Sequence, residues 1–219
     1  MSPRIFMVVI ALAFLPTLAQ AGGTYGVKLG LASSELTGDV SAEPRSALTA
    51  GVFLAAEAYP FLDVVVEALY MPRGAEDVLT GRTHGALGPA TDILTNARYH
   101  YLEVPFLLRV HPEGSGLHVL LGPSLAIKLG EDLSLARDYP PELTPWDFIR
   151  SGPDYSAYGV YGTLPAVDPS ICVGAGYGRD VMGTHLGLDA RAYFGLRNLT
   201  KYGRTVRNRS LTVSMVLGF

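Results

Sequence analysis

The sequence predicts an all-β fold, an eight-stranded antiparallel up-and-down transmembrane β-barrel. Three observations support this prediction. Apolar residues alternate with small or polar ones in eight separate segments, which is the period of a strand with two unlike faces. The segments are about 9–12 residues long, enough to cross a bilayer at a tilt. The connections between them alternate between short and long, as they do in outer-membrane barrels.

Residues 1–21 have the pattern of a secretory signal peptide. Arg4 precedes an apolar run over residues 5–15, and the segment closes on Ala19-Gln20-Ala21, a small-x-small cleavage pattern. The apolar run is too short for a membrane-spanning helix. We therefore expect residues 22–219 to form an exported barrel domain, located in the outer membrane of a Gram-negative-type envelope.

The first four strand segments are residues 24–33, 47–59, 63–71 and 101–110. Each has one apolar face, and its other face carries glycine, hydroxyl or charged residues. The apolar faces comprise Tyr25, Val27, Leu29, Leu31, Leu48, Ala50, Val52, Leu54, Ala56, Val64, Val66, Ala68, Tyr70, Leu102, Val104, Phe106, Leu108 and Val110.

The last four segments are residues 117–128, 170–178, 185–195 and 210–219, and they repeat the pattern. Their apolar faces comprise Leu117, Val119, Leu121, Pro123, Leu125, Ile127, Ile171, Val173, Ala175, Tyr177, Leu186, Leu188, Ala190, Ala192, Phe194, Leu211, Val213, Met215, Leu217 and Phe219. Pro105 and Pro123 lie inside strand segments. Because proline cannot donate to the ladder, we expect a bulge at each.

The lengths of the connections indicate which end of the barrel faces the periplasm and which faces the outside of the cell. Residues 59–62, 111–116 and 179–183 are short connections, which we expect to face the periplasm. The long connections, expected outside the cell, are residues 34–45, 73–98, 130–167 and 197–209. Aromatic residues of the apolar faces then form two girdles, one at each membrane interface. The periplasmic girdle contains Tyr25, Tyr177 and Phe219, and the outer girdle contains Tyr70 and Phe194.

The stretch ICVGAGYGRD, residues 171–180, looks at first like a dinucleotide-binding loop. That motif needs a third glycine where this chain has Arg179, and a helix after it. A strand follows instead. We interpret Gly174 and Gly176 as empty positions on the inner wall, because an eight-stranded barrel is only just wide enough for side chains. Large inward groups such as Arg191 and Tyr193 would fill this space.

The inward faces carry four cations and four anions: Lys28, Arg109, Lys128 and Arg191, and Glu57, Glu67, Glu103 and Asp189. Balanced charge in a narrow lumen favours a salt-bridged polar filling over a pore. The primary functional prediction is therefore a structural or surface-binding barrel without catalysis. A narrow channel or a transport- or secretion-associated barrel is the alternative.

The connection at residues 130–167 is the candidate binding surface. It contains Tyr139, Trp146, Phe148, Tyr155 and Tyr158 among prolines and acidic residues. Aromatic residues on loops are typical of binding interfaces. The alternative is that these aromatics pack over the mouth of the barrel.

Net charge, the single cysteine and the spacing of the histidines limit the range of possible functions. The formal net charge of −3 argues against a nucleic-acid partner. A single cysteine, Cys172, gives no disulfide framework, and the scattered histidines show no metal-ligand spacing. We expect no cofactor, metal or catalytic residue, although an enzyme could use His100 or His185 near a rim. A second alternative is a soluble lipocalin-like ligand-binding barrel, in which the apolar face points inward.

Six motifs occur in an order that resembles the PorT-like outer-membrane β-barrel proteins. They are YGVKLGLASS, YLEVPFLLRV, LLGPSLAIKLG, VGAGYG, LDARAYFGLRNLT and LTVSMVLGF. The resemblance spans residues 22–219 and implies an eight-stranded barrel in outer-membrane lipid. It also implies that Phe219 is the aromatic signal read by the barrel-assembly machinery. A surface or secretion-complex partner stays open.

Overall fold

The computed structural model describes residues 23–38, 43–83, 91–135, 166–199 and 205–219. Within them lie eight strands. They are β1 (Thr24–Gly38), β2 (Glu43–Tyr59), β3 (Leu62–Thr83), β4 (Thr91–Val110), β5 (Leu117–Leu135), β6 (Val167–Val181), β7 (Thr184–Gly195) and β8 (Val206–Gly218). The expected signal peptide, residues 1–21, lies outside the described residues. So do the five aromatics of the candidate binding surface.

The strands form one closed barrel in the order β1 to β8, and every neighbouring pair is antiparallel. β1 pairs with β8 from Gly26–Gly218 to Gly38–Val206, which closes the sheet. The predicted eight-stranded up-and-down barrel is therefore confirmed. No helix in the described part of the chain is long and apolar enough to cross a membrane.

The alternation of faces also follows the prediction. On β8, for example, Leu211, Val213 and Met215 point outward and are 58%, 61% and 67% exposed, whereas Thr212 and Val216 are buried. The apolar face therefore surrounds the barrel, as a lipid-facing surface does. This is the reverse of a soluble lipocalin-like barrel, so that alternative is wrong. Leu54 and Ile127 are exceptions, because these two predicted outward residues are buried.

One rim, which we call the short-turn rim, carries the three tight connections, the start of β1 and the end of β8. Its turns are residues 60–61, 111–116 and 182–183. Met182 and Gly183 have φ angles of 52° and 80°, as in the two-residue turns that suit a β-hairpin. The other rim, the long-hairpin rim, carries the remaining connections.

The strands at the long-hairpin rim are longer than predicted. β3 continues to Thr83 and β4 begins at Thr91, so most of the predicted connection at residues 73–98 is a paired hairpin. The sequence pattern did not predict this hairpin, because outward positions beyond the lipid need not be apolar. The alternation then fades although the hydrogen-bonded ladder continues.

The bulges expected at the two prolines are not present. β4 and β5 keep one register from Tyr101–Lys128 through Pro105–Ser124 to Val110–Val119, and β5 and β6 pair without a shift at Pro123. The irregularity lies between His100 and Tyr101, opposite Leu129. The sheet therefore tolerates each proline by losing ladder contacts while the register is kept.

Candidate functional site: the ion clusters of the lumen

Alternate strands send charged side chains to the centre of the lumen. Lys28 comes from β1, Glu67 from β3, His118 from β5, and Asp189 and Arg191 from β7. We call these five residues the central ion cluster. Each lies on the inward face of its strand because the side chains of a strand alternate, and each is buried.

The central ion cluster is a continuous network of short contacts. Lys28 Nζ lies 2.7 Å from Glu67 Oε1 and 2.6 Å from Asp189 Oδ2. Arg191 donates to both oxygens of Glu67 and, at 2.7 Å, to Asp189 Oδ2. His118 Nε2 lies 2.8 Å from Asp189 Oδ1.

Each carboxylate of this cluster contacts both cations, so the four formal charges balance. The contacts join β1, β3, β5 and β7, which alternate around the barrel, so the network crosses the lumen. Such a buried network is weak evidence of net stability, because desolvation offsets much of the attraction. Its clear consequence is that the middle of the lumen is filled.

A second group of polar residues lies around Arg73 of β3, and we call it the Arg73 cluster. Arg73 Nη2 lies 2.5 Å from Glu103 Oε2, and Arg73 Nη1 lies 3.8 Å from Asp168 Oδ2. Ser124 also donates to Glu103. Asn208 Nδ2 donates to Asp168 Oδ2 at 2.7 Å. These residues come from β3, β4, β5, β6 and β8, so this cluster also crosses the lumen.

The polar groups of the Arg73 cluster have fewer hydrogen-bond partners than those of the central ion cluster. Its one guanidinium faces two carboxylates, with the rings of Tyr101 and Tyr193 both 5.7 Å from it. Within the described residues, several buried polar atoms here have no protein partner: Arg73 Nε, Tyr101 Oη, Asp168 Oδ1, Tyr193 Oη and Ser210 Oγ. Buried polar atoms are normally hydrogen-bonded, often by internal water.

The remaining predicted lumen charges lie elsewhere. Arg109 is at the short-turn rim, where its Nη2 lies 2.6 Å from Asp63. Lys128 pairs with Glu131 at 2.7 Å on its own strand. Glu57 is exposed at the end of β2 and does not reach the lumen, because the barrel wall no longer encloses it there.

Three ionisable members of the clusters were not among the predicted lumen charges. Arg73 and Asp168 belong to segments expected to be loops or their borders. His118 lies between Leu117 and Val119 of a predicted apolar face, which puts it on the inward face, but the sequence indicates no role for it there. A signal for Arg73 was present, because odd-numbered positions of β3 point inward from Asp63 onward. Extending that alternation past Tyr70 would have placed Arg73 inside.

The two histidines considered for catalysis both have carboxylate neighbours. His100 lies on the outer face between Tyr70 and Asp132, with Nδ1 2.5 Å from Tyr70 Oη and Nε2 2.8 Å from Asp132 Oδ2. His185 Nδ1 lies 2.9 Å from Asp180. No group of three metal-ligating side chains occurs in the described ranges.

The glycines of β6 fit the interpretation given above. A Cβ at Gly176 would collide with the carboxylate of Asp189 and the ring of His118. A small cavity beside the central cluster is lined by Lys28, Arg109 and His118 among others and has about 10 Å³ of free space, roughly room for one water molecule. The lumen is therefore filled closely at this level.

Comparison with known proteins adds a family match. The outer membrane protein beta-barrel domain family matches residues 18–201. No curated protein sequence matches the chain. The fold is similar to solved structures of Ail from Yersinia pestis in complex with the heparin analogue sucrose octasulfate (13% identity, 90% of this chain and 99% of that chain, TM-score 0.46) and of OprG from Pseudomonas aeruginosa (14%, 90% and 93%, 0.45). Neisserial surface protein A is also similar (12%, 90% and 97%, 0.42).

Proposed function

This chain belongs to the outer membrane protein beta-barrel domain family, and we propose that its barrel is sealed and serves as a surface anchor. In this proposal no solute passes the lumen. The long hairpins carry a binding surface outside the cell, and the short-turn rim faces the periplasm.

The central ion cluster is the observation that carries the proposal of a sealed barrel. It joins four alternate strands across the lumen with contacts of 2.6–2.9 Å. The Arg73 cluster is a second crossing layer. A third layer is apolar and contains Leu36, Ala75, Ala97, Tyr99, Tyr101, Ala126, Leu199 and Val206, all buried. Three filled layers leave little room for a continuous water path.

The β3–β4 hairpin supports the proposed role at the surface. Within residues 62–76, whose side chains the structure describes, Tyr70 is the last large apolar residue exposed on the outward face of β3. The strand continues to Thr83. Those further residues span about 40 Å along the strand. The hairpin therefore projects beyond the apolar band, which supports a role for this rim at the cell surface.

Conductance tests the sealed lumen. The purified, folded protein is inserted in a planar bilayer, and we expect no stepwise current across a range of voltages. Wide-lumen porin inserted under the same conditions is the control for insertion. Regular steps from this protein would contradict the sealed lumen and favour the narrow-channel alternative.

Trypsin added to intact cells tests the orientation and the exposed loop. Arg137 and Arg150 lie in the long connection, and we expect cleavage there. Arg179, near a short turn, is the matched internal control and should be cut only after the outer membrane is permeabilised. Cleavage at Arg179 in intact cells, with Arg137 and Arg150 protected, would reverse the orientation.

The finer family relationship is also a proposal. The order of the six motifs supports a PorT-like subgroup, and Phe219, an exposed aromatic that directly follows β8, supports recognition by the barrel-assembly machinery. Phe219→Ala should slow assembly in cells. Its matched control is Phe61→Ala, which removes another exposed aromatic from the same rim. Equal assembly rates of the two variants would remove Phe219 as a signal.

A further inference from the structure

The outward face of β8 changes character at one point. This face is apolar from the short-turn rim to Leu211, and it is cationic from Arg209 toward the long-hairpin rim. The apolar positions are Phe219, Leu217, Met215, Val213 and Leu211, and the next two outward positions are Arg209 and Arg207. The apolar part spans about 27 Å along the strand, which at a tilt is close to the apolar band of an outer-membrane barrel.

Phe194 marks the same level on the neighbouring strand. It pairs in register with Arg209, and the guanidinium of Arg209 lies 5.3 Å from the centre of its ring. Outward aromatic residues at the edge of the apolar band lie at the membrane interface. Arg209 therefore lies at the height of the lipid headgroups, and Arg207 lies two residues farther out.

Arg197 is a third exposed cation at the long-hairpin rim. It follows β7, is exposed, and donates to the carbonyl of Val167 at 3.4 Å. The nearby carboxylate is Glu35, 3.9 Å from Arg209. We call Arg197, Arg207 and Arg209 the arginine patch. Among the described residues, Glu35 is the carboxylate that forms an ion pair with the patch, and Asp168, which interacts with Arg197, is buried. The exposed side of the patch is therefore cationic.

We propose that the arginine patch binds the phosphate groups of an anionic lipid in the outer leaflet. A planar guanidinium offers paired N–H donors that match phosphate oxygens. The lipid chains would lie on the apolar face of β8 below, and the phosphates would meet Arg207 and Arg209. The sealed lumen gives no reason for arginines on this outer surface, so the proposal goes beyond the function proposed above.

Retention of a phosphorylated lipid tests the proposal. The folded full chain in detergent micelles is mixed with diphosphoryl lipid A and examined by native mass spectrometry. We expect R207A/R209A to retain about tenfold less lipid than the unmodified protein, since charge-assisted hydrogen bonds are lost. Arg179→Ala, which removes an exposed arginine near the opposite rim, should retain the lipid normally.

Two results would overturn the proposal. One is equal retention of diphosphoryl lipid A by R207A/R209A and the unmodified protein. The other is equal retention of fully dephosphorylated lipid A by the unmodified protein. A heat-modifiability gel checks that each variant is folded, and the single variant Arg207→Gln is used if the double variant is not. Because retention is independent of conductance, this test can fail while the lumen remains sealed.

Discussion

Gly174 of β6 lies directly beside Arg191 of β7, its partner in the ladder. A Cβ at position 174 would lie 2.7 Å from Cγ of Arg191 and 2.8 Å from the carbonyl oxygen of Ala190. Arg191 cannot easily move aside, because Glu67 and Asp189 hold its guanidinium. The glycine-rich stretch thus makes room for the central ion cluster.

The first prediction follows from this contact. Gly174→Ala should destabilise the folded barrel by about 1–3 kcal/mol, since overpacking forces neighbouring atoms to shift. Urea unfolding in micelles, followed by far-UV circular dichroism, measures the change. Gly130→Ala is the matched control, because its new Cβ would lie 3.9 Å from the ring of His100. Equal stability of the two variants would show that the inner wall has room for a methyl group beside Arg191.

The second prediction concerns the charge balance of the central cluster. Arg191→Ala should lower the temperature at which the folded band is lost in a heat-modifiability gel. Breaking a buried ion pair from one side costs about 3–5 kcal/mol, because the remaining charge stays buried. The double variant E67Q/R191Q should melt above Arg191→Ala, since it removes both charges.

Glu76→Gln is the control for an exposed pair. Glu76 lies 3.6 Å from Arg45 and is half exposed, and surface pairs contribute little. We expect no measurable change. If Arg191→Ala also leaves the melting temperature unchanged, the central cluster does not hold the strands together.

The third prediction compares how much each of the two carboxylates of the Arg73 cluster contributes to stability. Asp168→Asn should be tolerated or stabilising, because an amide keeps the acceptor for Asn208 and removes one of two negative charges facing one cation. Glu103→Gln should destabilise the barrel by about 2–3 kcal/mol, since the charge-assisted bond from Arg73 and the bond from Ser124 are weakened. Urea unfolding ranks the two variants, and the opposite ranking would contradict the described contacts.

The fourth prediction concerns the turn at Met182. Its φ of 52° is unfavourable for methionine and well suited to asparagine, and Asn-Gly is the preferred pair for such turns. Met182→Asn should stabilise the β6–β7 hairpin by about 0.5–1 kcal/mol. The same urea unfolding experiment measures it. A loss of stability would mean that the turn has another conformation.

The number of strands, their faces and the short turns could be predicted because each depends on a local rule. Period-two alternation fixes which side of a strand meets lipid, as at Leu211 and Thr212. The pairing of Lys28 with Glu67 and Asp189 could not be read in the same way. Those partners lie on β3 and β7, and only the closed barrel brings them together.

The extended hairpins and the proline register were mispredicted for a related reason. Backbone hydrogen bonds keep β3 and β4 paired beyond Tyr70. These bonds do not depend on whether the side chains alternate between apolar and polar. Pro105 lacks a backbone N–H, yet β4 keeps its register with β5 at this position. A strand paired on both sides keeps its register through its remaining bonds, so one missing N–H does not force a bulge.

The pairing of β1 with β8 brings the two strands most distant in sequence side by side. Tyr25 and Phe219 exchange backbone hydrogen bonds of 3.2 and 2.7 Å. A chain that has placed only its first seven strands still has two open edges, each a template for pairing with another molecule. Closure by β8 removes both edges in one step. The last strand therefore decides whether the product is a single barrel or an aggregate.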